Sequence, residues 1–353
     1  MAYLVFKRQG GFKVRVPLRR RNVLWALLLI AIIVPPFVNQ YYLFVANLVT
    51  IYVLLAIGLN ILVGYTGQLA FANAAMFGIG AYSTGLLQVH FGWSFWLAFP
   101  SGGAIAAAIG LAISLPALRL KGLYLALSTL AFAQATQWVF LHWDAVTFGA
   151  GGFKTPPLSF DPLPISKPFG LYYLSLMLAV LFFLFAQNLV ASRVGRAFIA
   201  IRDSDFAAES LGVDLLRYKA LAFGVSSFYA GIAGGLNSAL LNFVAPEGYD
   251  LFQMVLQKAM IVVGGLGSVT GSLLGAGIIV ILLEVLREVK GLQEIVFGAL
   301  LVIFVLFMRG GLVGLLKRKV RGWEEPLRLV SRRARPKQNE LTQPSARIEK
   351  ADR

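Results

Sequence analysis

Asn60, Gln68, Asn73 and Gln134 carry amides, and Lys258 an ammonium, inside stretches that are otherwise apolar. If those stretches cross a bilayer, each polar group needs a partner or a wet face, because an unpaired amide in hydrocarbon costs several kcal/mol. A cation at mid-bilayer costs ~2.5–3.5 kcal/mol on insertion scales. The chemistry such groups offer is reversible hydrogen bonding along a route, not bond breaking. Asn60, Tyr65, Thr66, Gln68 and Asn73 fall in one run with five Gly, "GLNILVGYTGQLAFANAAMFGIGAY", residues 58–82. Broken backbone at membrane depth survives against protein or a water-filled path, so these residues, with Gln134 and Lys258, are expected to line a transport pathway. For Lys258 the competing reading is a side chain that reaches an interface from a short span.

Two further glycine-rich runs exist: "VVGGLGSVTGSLLGAG" at 262–277, with Gly267, Gly271 and Gly275 four residues apart, and "YAGIAGGLNSAL" at 229–240, with Gly231 and Gly235. Small residues at this spacing let helices approach closely. Two glycine-interrupted segments in opposite halves of a membrane chain also point to a pathway between them. Glu284, Arg287 and Glu288, at i, i+3 and i+4 near a span end, read as a solvated rim pairing.

Conventional catalytic sets are missing. There is no Cys, and the two His, His90 and His142, are far apart in sequence, so no Cys/His metal or thiol site of recognisable spacing exists. Gly is never followed by Lys, which excludes the G-x-x-x-x-G-K-[ST] phosphate loop. "GAGGFKT" at 149–155 misses because Phe153 precedes Lys154. No buried acid and His chain suggests proton coupling either. The route therefore lacks its own motor.

The elements that must position these residues are spans. The 353 residues are 58% hydrophobic and 14% charged, against roughly 45–50% and about 25% in soluble domains. Apolar runs lie near 23–38, 43–63, 74–90, 95–116, 121–141, 170–190, 219–241, 251–264, 270–286 and 291–308. They predict an all-α polytopic transmembrane bundle of about ten crossings, or eight if the two short runs are re-entrant. "NVLWALLLIAIIVPPFV" is read as an uncleaved first span, since no small-residue cleavage site follows it.

Of the net charge of +16, the tails carry +14: residues 1–22 hold seven Lys/Arg and no acid, and 317–353 hold twelve against five acids. Basic flanks mark cytoplasmic segments, so both termini are expected inside and nucleic acid is not the expected partner. The same reasoning puts Arg119, Lys121 and the segment 192–217 inside and the loop 142–169 outside. Five prolines and "FGAGGF" argue against any helix in that loop, which is either a plain connection or a docking surface. The tail from 317 is expected to be disordered.

The segment 192–217, "SRVGRAFIAIRDSDFAAESLGVDLLR", is amphipathic: Val194, Ala197, Phe198, Ile201, Ala208, Leu211 and Leu215 form an apolar stripe. Asp205 interrupts it, leaving one helix or two open, and Gly212 is a natural stop. Five Lys/Arg against four acids, counted to Lys219, suit a protein partner better than lipid headgroups.

"LNILVGYTGQLAFANAAMFGIGAYS", "LRLKGLYLALSTLAFAQ", "GRAFIAIRDSDFAAESLGVDLLRYKALAFGVSSFYAGIAGGL" and "VVGGLGSVTGSLLGAGII" resemble the permease subunits of branched-chain amino-acid ABC importers, most of all the LivM-type partner of the pair. The resemblance runs from about residue 45 to 316. It implies a second, related permease, two cytoplasmic ATPases that bind the ATP, a periplasmic binding protein and an inner-membrane location. It also implies that Arg202, Asp203, Ala207, Ala208, Glu209 and Gly212 meet the ATPases. Two departures stand out: "MRGGLVGLL" replaces the family's Arg-Pro-x-Gly-Leu turn, and Gln134 stands where a Glu is frequent. Relatives of this fold carry urea and short amides, which is the alternative cargo. A self-sufficient carrier or channel, or an intramembrane enzyme, are the alternatives of other classes.

Overall fold

The computed structural model describes residues 39–117, 122–160 and 166–287, with short pieces at 29, 31–33, 120, 296–299, 302 and 311–314. Both basic tails, and most of the expected first and last spans, lie outside the described residues, as do Arg119, Lys121 and Glu288. Eight helices occupy the positions of the eight expected central spans. They are α1 (Gln40–Leu59, continued by a π-helical stretch Asn60–Tyr65), α2 (Asn73–Phe91), α3 (Phe95–Ala117) and α4 (Leu123–His142). After the connecting loop come α5 (Lys167–Ala191), the short helices α6 (Arg193–Asp203) and α7 (Asp205–Ser210), then α8 (Leu215–Leu241), α9 (Leu251–Gly264) and α10 (Val269–Leu286). Among the described residues, four helices are long and apolar enough to cross a membrane: Gln40–Tyr65, Phe95–Pro116, Lys167–Ala191 and Val269–Leu286.

The helix starts follow from local chemistry. Ser192, Ser204, Asp214, Asp250 and Ser268 each accept a hydrogen bond from a backbone N–H two or three residues on, opening α6 to α10 in turn. Gly92 closes α2 in the left-handed conformation, φ 66°, which a side chain would resist.

α8 is the centre of the bundle and packs on α1, α2 and α3. Glycine allows the approach: a Cβ on Gly80 would lie 2.3 Å from Cα of Gly231, and one on Gly231 would lie 2.5 Å from Cβ of Ala106. The Gly231/Gly235 run is thus a contact face between α8 and its neighbours α2 and α3. Likewise α9 and α10 meet where a Cβ on Gly264 would lie 2.1 Å from the carbonyl oxygen of Gly271.

The loop after α4 departs from expectation. Asp144–Thr147 forms one helical turn and Gly149–Gly151 a 3₁₀ turn. All seven residues precede the first proline, and the Thr147 hydroxyl donates to the carbonyls of Phe140 (3.0 Å) and Trp143 (2.9 Å), so the chain can coil there. Beyond it Phe153–Lys154 pairs antiparallel with Phe243–Val244, Phe153 opposite Val244, which fastens the loop to the end of α8. Phe153, Phe140 and Tyr249 close around Tyr82, whose ring stacks on Phe140 at 4.0 Å. An aromatic cap therefore fills this end of the bundle.

Candidate functional site: the glycine-rich crossing and its charged helix

The two glycine-interrupted runs of the sequence meet. Asn60, 1% exposed, begins the π-helical stretch. Its Nδ2 donates to the Ser268 carbonyl (2.9 Å) and to Ser272 Oγ (2.7 Å), and its Oδ1 accepts from the Gly267 N–H (2.9 Å). One amide thus satisfies the Gly267 N–H, which the break between α9 and α10 would otherwise leave bare, and adds a second donor to the Ser268 carbonyl, which also accepts from the Ser272 N–H. The widened helix is the local cost of the arrangement: a side chain on Gly64 would collide with Oδ1 of Asn60, 1.7 Å from its Cβ.

From Thr66 to Ala72 the chain is not helical, and two cations hold this connection. Arg202, near the end of α6, donates from Nη1 to the Gly64 carbonyl at 2.5 Å. Its guanidinium also lies 2.6 Å from where a Gly267 side chain would begin. Lys258, on α9, donates to the Ala70 carbonyl and stands 4.7 Å from the centre of the Phe71 ring. Among the described residues no carboxylate comes within ion-pair distance of Lys258 or Arg202. Thr66 and Gln68 are buried on the connection, where Gln68 Nε2 donates to Thr66 Oγ1 at 3.1 Å. Asn73, at the start of α2, donates to Gln257 Oε1 (3.0 Å) and accepts from Ser226 Oγ (3.1 Å).

The expected pathway residues therefore divide. Asn60, Thr66, Gln68, Asn73 and Lys258 converge on one connection and its partners, and Tyr65 is buried at the end of the π-helical stretch. Gln134 is apart, on an exposed face of α4. Gln257, Ser226, Ser268 and Ser272 complete the network and were not singled out from the sequence; Gln257 had a signal, as the neighbour of Lys258 in "LQKA".

The charged segment is two helices, broken at Ser204, with Asp205 as the first residue of the second and paired to Lys219 at 2.7 Å. Gly212 ends α7 as expected, at φ 82°. The break alters the apolar stripe. Ala197, Phe198, Ile201 and Ala208 are buried as expected, but Leu211 is 81% exposed, since the second helix is re-aimed at Ser204. Phe206 is equally exposed. Of the six residues expected to meet a partner, Arg202, Asp203, Ala207, Glu209 and Gly212 are exposed and Ala208 is buried; Arg202 is in addition tied to the glycine crossing. Near the opposite rim Arg287 pairs with Glu284 at 3.1 Å, as expected, and Tyr41 donates to the same carboxylate.

The segment thus presents an exposed, mixed-charge and apolar surface and is joined by Arg202 to the backbone of the π-helical stretch. Comparisons with known proteins agree with a membrane transport component. Residues 41–305 match the family described as "Branched-chain amino acid transport system / permease component". The high-affinity branched-chain amino acid transport system permease protein LivM of Escherichia coli (strain K12) is 31% identical over 84% of this chain and 75% of its own length. Its Salmonella typhimurium counterpart is 30% identical over the same shares. LivH of E. coli K12, from the same named system, is 27% identical over 74% of this chain and 91% of its own. No solved structure matches the chain. The chain is a multi-pass membrane protein and belongs to the permease-component family of branched-chain amino acid transport systems, with LivM proteins among its relatives.

Proposed function

We propose that this chain is the translocation subunit of an ATP-driven importer of branched-chain amino acids in a bacterial inner membrane, with both termini in the cytoplasm. A second, LivH-like permease, two ATPases and a periplasmic binding protein complete the assembly. The observation that carries the reading is the bond from Arg202 to the Gly64 carbonyl. It joins a helix exposed to solvent to the one stretch of α1 that leaves α-helical geometry. The partner's ATPases dock on Phe206, Leu211 and Glu209, with Asp203, Ala207 and Gly212 around them. Ala208 and Arg202 transmit the movement inward. The path follows the 66–73 connection past Tyr65, Thr66, Gln68 and Lys258; Asn60 and Asn73 act as brackets behind it, and Gln134 faces the second permease.

The missing phosphate loop supports an external motor, and the family match from 41 to 305 supports the cargo class. The test is to replace Glu209 or Phe206 by Ala and Asp respectively, and to measure ATPase co-purification together with uptake of leucine, urea and acetamide. Loss of ATPase and of leucine uptake is expected from both variants. Unchanged values for both would sink the docking role, and uptake of urea in place of leucine would replace the cargo.

A further inference from the structure

A cleft of about 290 Å³ opens between the 66–69 connection, the start of α4 and the α6–α7 joint. At ~30 Å³ per water this is about ten waters' volume, enough for one small metabolite. Its lining has two characters. Leu69, Leu125 and Ile201 make an apolar wall, with Leu120 beside them. Arg202, the Asp205–Lys219 pair and Gln68 also line it.

These polar groups have unspent capacity of both signs. Arg202 uses Nη1 on the Gly64 carbonyl and has no carboxylate partner among the described residues, which leaves guanidinium donors for an anion. Asp205 meets Lys219 through Oδ2. Asp205 Oδ1 takes no hydrogen bond among the described residues, which leaves it for a donor. A guanidinium, a carboxylate and aliphatic side chains lining one small cleft are the groups that a zwitterion with an apolar side chain needs.

We propose that this cleft binds a small aliphatic amino acid from the side of the charged helices, and that occupancy restrains those helices. The carboxylate pairs with Arg202, the ammonium donates to Asp205 Oδ1, and the side chain lies on Leu69 and Leu125. Because the ligand bridges the α6–α7 joint to the connection, it resists the movement that ATP hydrolysis demands. Accumulated product then slows its own import. This rests on the reading of the 192–217 segment as cytoplasmic and ATPase-bound.

The test uses the assembled importer in nanodiscs without its binding protein, with radiolabelled leucine as the probe. Saturable binding is expected, weakened about tenfold by Asp205→Asn and by Leu69→Trp. Leu69 is 53% exposed, so the larger ring fills the cleft without forcing the core, and assembly with the ATPases verifies folding. Leucinamide, which lacks the carboxylate, and isocaproate, which lacks the ammonium, should each compete at least about tenfold less well than leucine. Leucine should slow ATP hydrolysis in the unaltered complex, relative to the same complex without it, and the slowing should vanish in both variants. Absence of saturable binding, or binding indifferent to Leu69→Trp and to both analogues, overturns the proposal. Uptake driven by the binding protein, measured on the same purified complex reconstituted in proteoliposomes, separates the two claims. Transport without binding removes the cleft and keeps the importer, whereas binding without uptake of any branched-chain amino acid removes the cargo assignment and keeps the cleft.

Discussion

Asn60 shows how one side chain can set a local backbone. Its amide is shared between the Gly267 N–H, the Ser268 carbonyl and Ser272 Oγ, groups more than 200 positions away in sequence. Replacing it by Ala strands the Gly267 N–H, whereas the Ser268 carbonyl and Ser272 Oγ keep their bond partners on α10. Asn60→Ala is therefore expected to lower stability by roughly 1–3 kcal/mol, read as a lower melting temperature of the purified permease pair. Asn60→Asp retains the acceptor for Gly267 but loses the donor and adds a buried charge, so it should be no better than Ala. The polar residues of the 58–82 run were legible in the sequence because an amide is conspicuous in an apolar stretch. Their partners were not: Ser268 and Ser272 look like ordinary helix-packing residues until the fold brings α10 beside the π-helical stretch. Gln134 was equally conspicuous, yet it sits on an exposed face of α4, since polarity alone does not say which side of a helix faces the bundle.

At the scale of elements, apolar runs and glycine breaks placed all eight described long helices to within a few residues, because hydrocarbon length leaves little latitude. The misses came where short-range geometry decides. The turn at Asp144–Thr147 is only four residues long and ends before the prolines that seemed to exclude it. Leu211 fits the helical wheel of one continuous helix, but Ser204 caps a second helix and turns it outward. Close helix approach gives a sharp prediction. A Cβ on Gly80 would stand 2.3 Å from Cα of Gly231, and backbone cannot give way as a side-chain tip can. Gly80→Ala should cost roughly 1–3 kcal/mol in stability and reduce expression of folded protein, whereas Gly92→Asn, at an open left-handed cap, should cost far less.

For the whole molecule, the charged segment and the π-helical end of α1 are joined by the bond from Arg202 to the Gly64 carbonyl. The aromatic cluster around Tyr82 fills the far end, where the strand pair fastens the loop to α8. In the proposed importer the Arg202 bond is the link through which the charged segment works the broken helix. The most direct measurement is leucine uptake per ATP hydrolysed, in proteoliposomes with ATP enclosed and loaded binding protein outside, for the unaltered importer and for Arg202→Ala. The account predicts that the variant still assembles and hydrolyses ATP while uptake per ATP falls by about tenfold, roughly 1.4 kcal/mol of lost coupling. An equal uptake per ATP in both would contradict it, because Arg202 would then be a mere surface tether and the glycine crossing would move by some other connection.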